Sequence, residues 1–245
     1  MLGAAHRQCQ AKKEVNVGRH YKRNGLKYPS VTTITGQLDK PALTWWAANC
    51  ACDYIISELE GSDEDMVPVG ALYPVIEAAR KGFMKVSRQA LDIGSATHGA
   101  IEHYLKTGQE PQAPSDEVLS AFLAFLEWKG SMDVGETIQT EFTLYADRYA
   151  GTCDWIVMLG GKKYLIDFKA SKGIYKEYQY QVAAYRACDP SIEGCGILRL
   201  DKVTGLPEWK DTSETYEQDL KVFEILTDLW YATHPREAAA HAAAA

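Results

Sequence analysis

The sequence predicts an α+β (mixed α/β) domain: a central mixed β-sheet flanked by helices, preceded by an N-terminal helical subdomain. Three observations predict it. The first half holds long segments bounded by helix start and stop signals. Residues 137–169 hold three strand-like runs, two of them joined by a Gly160-Gly161 turn. A helix-length segment then separates the third run from a further strand pair, so helices and strands share one core.

The elements follow in order. Pro41 opens a helix through Trp45 and Trp46 to Leu59, and Gly61-Ser62 stops it. Residues 74–106 read as one or two helices ended by Gly108. Ser115 can cap a helix from Val118 to Lys129, with Asp116 and Glu117 favourably placed in its first turn. Thr137–Tyr145, Gly151–Leu159 and Lys163–Lys169 read as strands. A helix is expected over Lys176–Ala187, a strand over Gly196–Leu200, and a short return strand at Pro207–Lys210 after a Thr204-Gly205 turn. A closing helix spans Glu214–Ala232, with Leu220, Phe223, Leu226, Leu229 and Trp230 on one side. No repeat of fixed period is present.

Charge divides the chain. Its 245 residues carry 26 Lys and Arg against 33 Asp and Glu, a net of −7. That argues against a protein that coats nucleic acid through overall charge. Yet Arg7, Lys12, Lys13, Arg19, Lys22, Arg23 and Lys27 stand against Glu14 alone within residues 1–29. This segment reads as a basic, solvated tail, or as an arm that touches phosphates. The expected organisation is this tail (1–29), a helical subdomain (30–135), the sheet-bearing core (136–233) and an Ala-rich low-complexity tail (234–245). No apolar run approaches the roughly 18 residues of a membrane span, and residues 1–29 lack the apolar core of a secretory signal. No membrane partner is expected. The cysteines Cys9, Cys50, Cys52, Cys153, Cys188 and Cys195 form no CxxC pair, and reduced thiols are expected.

The chemistry concentrates on the second and third strands. Side chains alternate at period two, which puts Asp154 on one face of its strand and Asp167 with Lys169 on one face of the next. Charges in a largely buried strand need partners or a cation. Two carboxylates with open water positions suit Mg²⁺ or Mn²⁺. A lysine beside such an ion can orient or help deprotonate a water, or stabilise charge on a phosphoryl group. Gln181 and Tyr185, four apart on the following helix, project from one face toward the same place. His98 can add a nitrogen ligand from the helical half, and Glu141 a further carboxylate. Each residue also fits a plain structural role: an Asp–Lys ion pair, a surface Gln, a core Tyr, a helical His. The aromatic residues Trp45, Trp46, Tyr175, Tyr178 and Tyr180 fit core packing, or stacking on unpaired bases.

The ordered set Gly94-x-x-x-His98, Glu141, Gly151-Thr152-x-Asp154, Asp167-Phe168-Lys169 and Gln181-x-x-x-Tyr185 resembles the PD-(D/E)XK nuclease superfamily, in its RecB-like and Cas4-like exonuclease branch. The resemblance covers roughly residues 90–190. Tyr28-Pro29-Ser30-Val31-Thr32 and Lys40-Pro41-Ala42-Leu43 also look like phage and mitochondrial-type members. It implies a restriction-endonuclease-like core. It implies that His98, Asp154, Asp167 and the main-chain carbonyl of Phe168 bind the metal and that Lys169 is catalytic. Glu141, Ser171, Gln181 and Tyr185 would then contact substrate. The implied activity is metal-dependent hydrolysis of phosphodiesters in single-stranded DNA or at DNA ends, alongside recombination or replication proteins. The alternative is a nuclease-fold protein that binds DNA ends or a partner without cutting. Cas4-type members often hold an iron–sulfur cluster with a late cysteine triplet. Only Cys188 and Cys195 lie late here, so no cluster is expected. A cytoplasmic setting, bacterial or in a phage-infected host, is expected ahead of a mitochondrial matrix.

Overall fold

The computed structural model describes residues 20–61 and 66–243. Its centre is a five-stranded mixed sheet of strands β3 (Val134–Tyr145), β4 (Ala150–Leu159), β5 (Lys162–Lys169), β6 (Gly194–Leu200) and β7 (Pro207–Asp211), in that spatial order. All neighbours pair antiparallel except β5 and β6, which are parallel. A parallel pair needs a crossover, and α5 (Lys176–Ala187) supplies it. The α+β class expected from the sequence is observed, as is the expected order of elements from α2 (Pro41–Glu60) to α6 (Tyr216–Thr233).

Helices cover both faces of the sheet. On one side α1 (Val31–Thr35), α5 and α6 (Tyr216–Thr233) bring Val31, Ile34, Val182, Tyr185, Phe223 and Trp230 onto Cys153, Ile156, Leu165 and Ile197. On the other, the end of α3 (Val69–Thr107) and α4 (Asp116–Ser131) bring Ile101, Phe122, Phe125 and Trp128 onto Trp155, Ile166, Phe168 and Leu198. The period-two alternation is visible in β5, where Leu165 and Ile166 belong to opposite cores. The second core is aromatic: Trp155 is fully buried, with Phe125 at 5.8 Å and Trp128 at 6.3 Å between ring centroids.

Local signals explain the helix ends. Ser115 Oγ accepts from Val118 N and starts α4. Gly108, at φ 70°, ends α3 with its N–H on Tyr104 O. Pro41 stands at the start of α2 (Pro41–Glu60), a helix with no buried residue. Residues 74–106 belong to the single helix α3, which begins at Val69 and keeps Pro74 within its second turn.

Three expectations need correction. Residues 20–29 of the expected basic tail form a hairpin, β1 (His20–Arg23) with β2 (Leu26–Pro29). Its turn is Asn24-Gly25, at φ 50° and 81°, the conformation a two-residue hairpin turn demands. Arg7, Lys12, Lys13, Arg19 and Cys9 lie outside the described residues. The Ala-rich C-terminal segment is not a bare tail either. Pro235–Ala242 form α7, whose His241 packs edge-on against Tyr28 and Tyr231 and bonds Lys27 O at 2.9 Å. Alanine favours a helix wherever a few residues can dock it. On α6, Leu229 is exposed, and Thr227 and Tyr231 are buried in its place beside Phe223, Leu226 and Trp230.

Among the described residues, no helix is long and apolar enough to cross a membrane.

Candidate metal and phosphate site

β4 and β5 are joined by the Gly160-Gly161 turn, both residues at positive φ. Their pairing runs from that turn to Trp155 opposite Ile166. One residue further on, Asp154 takes over from the ladder. Its Oδ2 accepts from Phe168 N at 2.6 Å, so a carboxylate occupies the place of a strand carbonyl. The two strands thereby carry Asp154 and Asp167 to the same depth, 9% and 1% exposed.

His98 reaches this point from α3. Its Nδ1 stands 3.2 Å from Asp154 Oδ1, and its Nε2 is 3.1 Å from Phe168 O. The ring also meets Phe168 edge-on. Burial alone lowers a histidine pKa, but the charge of Asp154 and its hydrogen bond outweigh this and raise His98 to about 9. His98 conversely holds Asp154 below the usual carboxylate range against the opposing effect of burial.

Glu141 lies on β3, its carboxylate 4.0 Å from His98 Nδ1. It is one of two non-glycine residues with positive φ (47°) among those described. Such a backbone costs about 1–3 kcal/mol and is characteristic of working sites. Partial burial and the charge of Asp154 push its pKa up to about 7. Donor atoms of His98, Glu141 and Asp154 lie within 4.8 Å of one another.

Asp167 faces the α5 side of the same gap. Its Oδ2 stands 2.6 Å from Lys169 Nζ. That contact is an ion pair without an aligned hydrogen bond, and among the described residues Oδ2 has no other partner. Burial raises the pKa of Asp167, with Lys169 opposing. Burial lowers that of Lys169, but Asp167 and Asp154 more than restore it, so the ammonium keeps its proton at neutral pH. Lys169 Nζ also lies 4.9 Å above the ring of Tyr178.

The helix residues form a chain behind Asp167. Gln181 Nε2 donates to Asp167 Oδ1 at 3.1 Å and to Tyr185 Oη at 3.0 Å. Tyr185 in turn lies against Gly151, where a Cβ would stand 2.3 Å from the ring. The glycine of Gly151-Thr152-x-Asp154 thus gives the tyrosine its room.

The sequence-predicted residues therefore converge, with two refinements. Asp167 sits beside the His98–Glu141–Asp154 donor group rather than within it. Ser171 turns its hydroxyl to Gly173 O at 2.8 Å, and its own carbonyl accepts from Arg199 Nη1 at 3.5 Å. Among the aromatic residues, Trp45 is 74% exposed, while Trp46 meets Phe83 edge-on. Sequence reasoning missed Tyr21, whose hydroxyl is 3.1 Å from Thr152 Oγ1. The Asn24-Gly25 pair was the available signal for the hairpin that carries it.

No family model matches the chain, and no curated protein matches it. A solved structure titled "Crystal structure of SSO0001" is similar at 14% identity over 74% of this chain and 86% of that one. Its TM-score is 0.27, a likeness that carries no argument about fold or function.

Proposed function

We propose that this chain is a divalent-metal-dependent deoxyribonuclease of the PD-(D/E)XK type, acting as an exonuclease on single-stranded DNA or DNA ends. The observation that carries the reading is the meeting of His98, Asp154, Asp167 and Lys169 at the point where β4 and β5 part. The donor set fits Mg²⁺ or Mn²⁺. Carboxylates and a main-chain carbonyl are ligands such ions take, and Asp167 Oδ2 is a buried oxygen lacking an aligned hydrogen bond. His98, Asp154, Asp167 and the Phe168 carbonyl would hold the ion, with Glu141 within reach. The ion would supply an activated water and neutralise charge on the phosphate.

The protein's own groups have separable roles. Lys169, ion-paired to Asp167 at 2.6 Å, is placed to donate to a phosphate oxygen as charge develops there. Gln181 fixes the orientation of Asp167, and Tyr185 that of Gln181. Asp154 is held by Phe168 N on one oxygen and faces His98 with the other.

The test is cleavage of end-labelled single- and double-stranded DNA with Mg²⁺, Mn²⁺ or chelator. Asp167→Ala and Lys169→Ala are run beside the wild type. Metal-dependent cleavage lost in both variants is the expected result. No cleavage of any DNA, with DNA binding intact, would replace this reading with a nuclease-fold binding protein. Equal cleavage by wild type and variants would place the activity elsewhere.

A further inference from the structure

The β1–β2 hairpin is a separate two-stranded sheet, and it is fixed beside the site. Tyr21 Oη bonds Thr152, two residues before Asp154, and Thr152 continues to Thr143 at 3.2 Å. Two residues of strand are about 7 Å. Tyr21 and Tyr28 both meet the ring of Tyr145 edge-on, and Ser30 bridges to Ala150 at the start of β4. His241 of α7 braces the hairpin from behind through Lys27 O.

Its charges are unusual. Lys22 and Lys27 are directly opposed across the two strands. Like charges at such a pair are destabilising, and a two-stranded hairpin is marginal to begin with. Arg23 lies over the Tyr145 ring at 5.0 Å, which holds its guanidinium in place without neutralising it. All three side chains are exposed, and none makes an ion pair with an acidic group among the described residues. They lie in the basic N-terminal segment of a chain whose net charge is −7. A folded, braced ribbon carrying three unneutralised cations calls for an anion. Tyr21 and Tyr28 turn to the sheet, so Lys22 and Lys27 project from the outer face of a ribbon seated two residues from Asp154, which suits a long polyanion that also reaches the site.

We propose that Lys22, Arg23 and Lys27 form a second phosphate contact, which holds the sugar–phosphate backbone of the bound strand on the Thr152 side of the site. This rests on the nuclease reading above for the identity of the polyanion. The hairpin positions the strand; it does not touch the reacting phosphate.

The probe is a fluorescein-labelled oligothymidylate, bound in chelator and followed by anisotropy over a range of salt concentrations. Wild type is compared with Lys22→Gln/Lys27→Gln and with Lys22→Arg/Lys27→Arg. Each phosphate contact on a single strand contributes about 0.7 to the salt slope, so the Gln pair should lower its magnitude by about 1.4. The Arg pair should keep it. In cleavage assays with metal, the Gln pair should raise KM and leave kcat within twofold. Wild-type cleavage together with a Gln pair whose slope and KM are unchanged would overturn the hairpin proposal alone. Weakened binding by the Gln pair, in a protein that cuts no DNA, would uphold the hairpin and overturn the nuclease reading. No oligonucleotide binding by wild type would overturn the hairpin proposal outright. Equal losses in the Gln and Arg pairs would also overturn it, by pointing to the fold of the hairpin rather than its charge.

Discussion

Gly151→Ala tests whether the Tyr185–Gln181–Asp167 chain is as tightly packed as the distances say. The added Cβ would stand 2.3 Å from Tyr185 Cε1 and 3.2 Å from Cδ1 and Cζ. Carbon atoms rest at about 3.5–4.0 Å, so the ring has to retreat by about 1.2 Å or more. It has little freedom to do so. Tyr185 is 3% exposed, packed in the α5–sheet core and tethered to Gln181 at 3.0 Å. Overpacking of this kind costs about 1–3 kcal/mol, and a broken Tyr185–Gln181 bond adds about 1 kcal/mol. Urea denaturation followed by circular dichroism should therefore show a loss of about 2–4 kcal/mol with an unchanged slope. Tyr185→Leu removes the ring that the methyl strikes. The double variant should be more stable than the sum of the single effects predicts, by at least about 1 kcal/mol. Gly151→Ala within about 0.5 kcal/mol of wild type would refute the packing argument, as would strict additivity.

Three further outcomes are expected. Mn²⁺ added to the metal-free protein should raise its melting temperature by mass action, and the rise should vanish in Asp154→Asn; an equal rise in that variant would remove Asp154 from the ligand set. Deleting residues 235–245 removes the His241 contacts to Tyr28, Tyr231 and Lys27, so amide exchange over Leu26–Pro29 should accelerate at least tenfold, about 1.4 kcal/mol of opening free energy, while β5 stays protected; unchanged exchange would show that α7 does not brace the hairpin. Asp201 accepts from Thr204 N and Val203 N and pairs with Arg199, which hold its carboxyl down to about 2. Its contribution to stability is therefore full above the unfolded value of about 3.9 and is lost as pH falls toward about 2. A carboxyl carbon titration by NMR checks this, and a midpoint near 4 would contradict it.

Where a feature depends on neighbours in sequence, it was readable there. β4 and β5 were placed to within a residue, because alternation and a Gly-Gly turn are local properties. So was the spacing of Gln181 and Tyr185, which is simply a helical turn. Asp154 and Asp167 were recognisable as a pair because one tight hairpin joins them. Features that depend on distant partners were harder. His98 is legible as a candidate, but its contact with Asp154 and Phe168 depends on how α3 crosses the sheet. The positive φ of Glu141 leaves no local mark, since nothing in Gln139-Thr140-Glu141-Phe142 forces it. Alanine-rich composition suggests a tail over 234–245, whereas His241 on Tyr28 and Tyr231, with Ala238 on the core, docks a helix. In the N-terminal segment, the density of Lys and Arg hid the Asn24-Gly25 turn. The proposal of DNA as the substrate rests on the family resemblance and not on any single contact.

The length of α3 has a mechanical consequence. His98 lies 29 positions after the helix start at Val69, about 44 Å along the axis at 1.5 Å per residue. Its one proline, Pro74, is in the second turn, and a Gly94-Ser95 pair, the other common site of helix bending, lies just before His98. The near end of the helix is seated on the aromatic core through Ile101; the far end runs beside α2, a helix with nothing buried. The Gly94-Ser95 pair therefore separates the outer arm from the imidazole, so the arm can bend there while His98 keeps its place against Asp154.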